Sequence, residues 1–169
     1  MNAVQIDRQH ASGTGDIPTT EALERWLMAV LGHHPDEQRN ELTVRFVDEE
    51  ESHHLNHTYR GKPSSTNVLS FPFDGPPGLA LPLLGDLVIC VPVIQREAQE
   101  QAKNLCDHYA HMVVHGTLHL MGYDHVGDDE ANAMEALECV ILAELGIASP
   151  YQAPTTESAP DTEDKRNNS

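Results

Sequence analysis

Leu23, Trp26, Leu27, Val30 and Leu31 recur three and four positions apart, which predicts an amphipathic helix entered after Pro18 and left at Gly32. Further on, Leu42, Val44 and Phe46 alternate with Thr43 and Arg45, the period of a strand. Asp48 and Glu51 stand at capping-box spacing and predict a short helix that Gly61 closes. Two β-rich runs, Val68 to Phe73 and Leu87 to Val91, flank the turn-forming segment Asp74-Gly75-Pro76-Pro77-Gly78. Pro92 suits the first turn of a helix running towards Leu105, and another helix is expected from near Asp107 to Met121. The last helix, Asp128 to Leu145, stops at Gly146. Met134, Leu137, Ile141 and Leu145 are its expected buried stripe, and its six acids are read as the wet face. A short strand at Ala3 to Ile6, followed by a loop over 8–18, opens the chain. These elements predict an α+β fold, a small mixed β-sheet packed with helices.

A length of 169 residues suits one domain, expected over 1–149. From Pro150 onward the chain has one aromatic residue, no aliphatic side chain larger than alanine, and three prolines. Such a segment buries too little to offset its ordering entropy, so 150–169 is expected to be a disordered tail. The apolar stretches Leu79 to Leu84 and Leu87 to Ile94 fall far short of the roughly 20 residues of a membrane span, so no membrane contact is expected. The first residues carry no apolar signal region, and Cys90, Cys106 and Cys139 have no pairing pattern; both fit a reducing cytoplasm. Ten basic residues against twenty-seven acidic ones give a net charge of −17. That charge excludes tight nonspecific nucleic-acid binding but leaves room for one local basic spot.

The chemistry concentrates in His115-Gly116-Thr117-Leu118-His119-Leu120-Met121-Gly122-Tyr123-Asp124-His125. Residues four apart share a helix face, so His115 and His119 can reach one ion. Gly122 lets the chain leave the helix through a left-handed conformation and return with His125 as third ligand. Three neutral imidazoles and an open fourth position describe a catalytic zinc site on a zincin-like metal-binding helix. The glutamate that serves as base in HExxH peptidases is replaced by Gly116, so peptide hydrolysis is the weaker reading. His33, His34, His53, His54, His57, His108 and His111 are read as surface or helix-face residues, with His111 alone kept as a neighbour of the site. Asp124 is a candidate outer partner or weak ligand. Arg60 and Lys62 form a basic pair in an acidic chain, and an arginine there could stabilise charge on phosphate oxygens or simply complement a helix end.

Leu55-Asn56 through Tyr59-Arg60, Thr66 to Pro72, Leu84 to Cys90 and the histidine string followed by Asp128-Asp129-Glu130 resemble the bacterial YbeY family over about residues 42 to 151. The resemblance implies a zinc-dependent endoribonuclease specific for single-stranded RNA. It acts in the cytoplasm on 3′-end maturation of small-subunit rRNA and in ribosome quality control. It implies one zinc ion on His115, His119 and His125, with Arg60 and His115 as catalytic residues. The implied partners are an rRNA precursor and the small ribosomal subunit with its proteins. The chain departs from the family pattern at Pro63-Ser64-Ser65, after Arg60. Two other readings stand beside it, a metal-dependent peptidase and a non-catalytic, zinc-stabilised ribosome assembly factor.

Overall fold

The computed structural model describes residues 4–13, 17–61, 66–73, 81–123 and 127–147. The elements run β1 (Gln5–His10), α1 (Thr20–Leu31), β2 (Glu41–Val47), α2 (Glu49–Arg60), β3 (Val68–Pro72), β4 (Leu83–Cys90), α3 (Val91–Glu100), α4 (Leu105–Leu120) and α5 (Asp128–Glu144). The sheet order is β1-β2-β4-β3, with β1, β2 and β4 parallel and β3 antiparallel to β4 at one edge. The α+β class with a mixed sheet is what the patterning predicts.

Alternation along β2 and β4 sorts side chains onto two unequal faces. Leu42, Val44, Phe46, Leu87 and Ile89 join Trp26 of α1, Tyr109 and Val113 of α4 and Ile141 of α5 in the main core. Phe46 and Tyr109 meet edge to face at 5.8 Å. The opposite face carries a smaller cluster of Val47, Leu69 and Val88, capped by Leu55 of α2 and by Phe71. The centre of the larger layer is α4, eleven of whose residues are buried.

Several boundaries differ from the sequence reading, each for a tertiary reason. β1 extends to His10 because it pairs in parallel with β2 through His10 and Phe46. β4 starts at Leu83, paired with Glu41, four residues before the β-branched run that betrays it. Asp48 is the N-cap of α2 but makes no capping bond; its carboxylate accepts from the Ser12 hydroxyl at 2.5 Å and the Gly13 amide at 3.1 Å. Glu51, the other half of the expected box, binds Arg45 at 2.8 Å. The helix after Pro92 ends at Glu100, where the Lys103 amide closes back on the Ala98 carbonyl. Asn104 then caps α4 by accepting from the amides of Cys106 and Asp107. Gly61 ends α2 with φ of 72°, and Gly122 follows α4 with φ of 105°. The segment 74–80, the outer part of the strand expected at Ala3 and the tail 150–169 lie outside the described residues. No disulfide joins Cys90, Cys106 and Cys139, and no described helix is long and apolar enough to cross a membrane.

Glu97 ties three elements together. It accepts from the Asn67 side-chain amide at 3.3 Å and from His108 Nε2 at 2.8 Å, joining α3 to the residue that enters β3 and to α4. Burial pushes its carboxyl up, but the bonds from His108 and Asn67 outweigh that and hold it below the usual range. A depressed carboxyl contributes stability that is present above its unfolded value and lost as pH falls through the folded one. Unfolding free energy should therefore decline below roughly pH 4.3. Glu97→Gln should decline less steeply over the same window in urea titrations run at a series of pH values.

Candidate metal centre

Helical spacing on α4 brings His111, His115 and His119 into a ladder, with ring centroids 6.2 Å apart for the first pair and 4.6 Å for the second. What lets this helix lie so close to the sheet is Gly116. A Cβ added there would stand 2.7 Å from Leu87 Cδ2 and 3.2 Å from Ser70 Oγ, inside ordinary contact distance. Position 116 therefore faces β3 and β4, and a glutamate cannot stand there without displacing the buried Leu87. The base of the HExxH pattern is excluded by packing as well as by sequence.

Each imidazole of the pair is tethered through Nδ1. His115 Nδ1 donates to Glu138 Oε2 at 2.6 Å, and His119 Nδ1 donates to the Tyr123 carbonyl at 3.1 Å. A carbonyl and an ionised carboxylate can only accept, so in each neutral ring the proton sits on Nδ1 and Nε2 carries the lone pair that a metal needs. Tyr123 is held in turn: His34 donates from Nδ1 to the Val30 carbonyl at 2.8 Å, which leaves its Nε2 to accept from the Tyr123 hydroxyl at 2.8 Å. The chain that returns from α4 is thus fastened to the end of α1.

Glu138 is the functional residue the sequence reading missed. Taken as one of the wet acids of α5, it is fully buried and also accepts from His111 Nε2 at 3.3 Å. Burial raises its pKa, yet the hydrogen bonds from His111 and His115 and the charge they can carry bring it down to about 2. Burial, the largest influence on His111, lowers that imidazole's basicity against the pull of Glu138 and favours the neutral ring. His111, His115 and Glu138 are positioned to bind a metal ion, their ligand atoms lying within 4.8 Å of one another. A signal was there: 138 lies four after Met134 and three before Ile141, on the apolar stripe itself. The stripe is correspondingly Met134, Glu138, Ile141 and Leu142, with Leu137 and Leu145 only partly buried.

His108 and His111 are buried rather than on the surface, whereas His53, His54 and His57 are exposed and His33 and His34 half-buried. Arg60 is the last residue of α2, the helix on the far face of the sheet from α4; its guanidinium lies outside the described structure. Lys62, Asp124 and the expected third ligand His125 also lie outside the described residues.

The sequence-family model described as "Endoribonuclease YbeY" matches residues 6–146. A protein of that name from Chromohalobacter salexigens is 60% identical over 148 residues, covering 86% of this chain and 96% of the relative. A second, from Alteromonas mediterranea, is 60% identical over 138 residues, covering 82% and 87%. The solution structure of TM1509 from Thermotoga maritima shares the fold, with a TM-score of 0.53 at 22% identity over 88% of this chain and all of that one.

The clamp on Tyr123 can be tested without metal. Tyr123→Phe removes the hydroxyl that His34 accepts from and keeps the carbonyl that serves His119. It should lower stability by about 1 kcal/mol, read as a shift of the urea midpoint at constant m-value.

Proposed function

The chain belongs to the YbeY endoribonuclease family, and we propose that it cleaves single-stranded RNA at one zinc ion held by His115, His119 and His125, with Arg60 beside the phosphate. The observation that carries this reading is the pair of Nδ1 tethers, which present two Nε2 lone pairs from adjacent turns of α4. Neutral imidazoles with their second nitrogens bonded to protein acceptors are the donor set zinc favours. Bound there, zinc would supply an acidified water as nucleophile and polarisation of a phosphoryl oxygen. His115 acts by holding the ion in place. Arg60 offsets the negative charge that grows on the phosphate oxygens as the bond to the leaving oxygen lengthens. An unpaired strand can bend into such a site, whereas a rigid duplex would set its full charge against an acidic protein. The biological substrate is read as the 3′ end of precursor small-subunit rRNA, met on the small ribosomal subunit in the cytoplasm and also handled in ribosome quality control.

A metal-dependent peptidase would use the same ion, but Gly116 and the packing around it leave no place for a base at the HExxH position. A non-catalytic assembly factor would keep zinc and never cut.

Three preparations decide among these readings. Wild type should contain zinc, cut unstructured RNA and leave casein intact; a chelator should stop cleavage and added zinc restore it. His115→Ala should lose both metal and cleavage. Arg60→Ala should keep its metal and lose cleavage about 10²- to 10³-fold. Cleavage untouched by metal removal would overturn the zinc reading, and an Arg60→Ala protein cutting at the normal rate would remove Arg60 from the mechanism. In cells, His115→Ala should leave unprocessed rRNA 3′ ends.

A further inference from the structure

We propose that Glu138 is a positioning residue of the metal centre: from α5 it accepts from imidazoles on two turns of α4, fixing the His115 proton on Nδ1, while His111 anchors the carboxylate instead of binding metal. The proposal rests on the zinc reading above and extends it from the tether of His115 to the roles of Glu138 and His111.

The alternative is direct ligation, since His111, His115 and Glu138 are grouped closely enough to share an ion. The contact between His115 and Glu138 favours positioning. Two ligand atoms on one tetrahedral zinc, each about 2.0–2.1 Å from it, lie about 3.3 Å from each other. His115 Nδ1 and Glu138 Oε2 are 2.6 Å apart, too close for that and right for a charge-assisted hydrogen bond. The carboxylate offers each ring its own acceptor oxygen, Oε1 to His111 and Oε2 to His115, which an amide in its place cannot do. A glutamine at 138 has one acceptor oxygen and one donor nitrogen. One imidazole would then face a donor and have to turn its lone pair towards it. If that ring is His115, its proton moves to Nε2 and the metal loses a ligand atom.

The first measurement needs no metal. Long-range proton–nitrogen NMR spectra of the metal-free protein should show His115 as the Nδ1–H tautomer in wild type and a changed tautomer balance at His111 or His115 in Glu138→Gln. The second is zinc affinity by competition with a fluorescent chelator, with cobalt absorption reporting the ligand set. Glu138→Gln should bind zinc about 10- to 100-fold more weakly with an unchanged far-ultraviolet circular dichroism spectrum. His111→Gln, which still offers a donor to Glu138, should bind much more tightly than His119→Ala and keep the wild-type cobalt spectrum. If Glu138→Gln fails to fold, Glu138→Asp replaces it, its carboxylate one methylene short of the rings and its zinc binding expected to be weakened. A folded Glu138 variant with wild-type zinc affinity overturns the proposal, as does a His111→Gln protein that loses zinc as fully as His119→Ala. Wild type that shows the Nδ1–H tautomer and binds no zinc overturns the reading of the reaction and, with it, any role for Glu138 in metal binding.

Discussion

A carboxylate with no access to water must be surrounded by donors, and in this protein that requirement decides how α5 meets α4. Removing one partner from such a buried arrangement typically costs about 3–5 kcal/mol, because the remaining charge has nothing else to turn to. Glu138 therefore fixes the rotation of α5 about its axis as well as its distance from α4: only one orientation delivers both oxygens to His111 and His115. The apolar residues around it, Met134, Ile141 and Leu142, supply burial without such direction. Packing brings the helices together, and the hydrogen bonds select the register.

The same division of labour runs through α4. Its sheet-facing side is a close fit at Gly116 against Leu87 and Ser70, and its other side carries the histidine ladder. Rigid seating on one side is what lets ring positions on the other be held to the tolerance that coordination demands. Tyr123 extends this beyond the helix end, since its backbone serves His119 while its hydroxyl is fastened to His34. The outer supports of the two histidines thus come from different parts of the chain, α5 for one and the α1 terminus for the other.

Much of this was legible in the residues. The helical period from Leu23 and the alternation from Leu42 report their own burial, and the spacing of His115 and His119 states that the two rings share a face. Three kinds of feature were hidden. Strand edges such as Leu83 and His10 are set by partners distant in sequence, so local propensity carries no trace of them. The pairing of Asp48 with Ser12 and of Glu51 with Arg45 replaces a local cap by tertiary bonds of better reach. Glu138 was hidden by charge, because an acid among acids reads as solvent-facing until its place on the apolar stripe is taken seriously.

The fit around Gly116 also bears on what this lineage can become. A single nucleotide change turns a glycine codon into one for glutamate, and on paper that would complete the peptidase signature. In the folded molecule the new side chain would be driven into Leu87, on the sheet side of α4, and the sheet would have to be rebuilt around it before selection could reward the change. The two kinds of hydrolase are neighbours in sequence space and remote from each other in fitness.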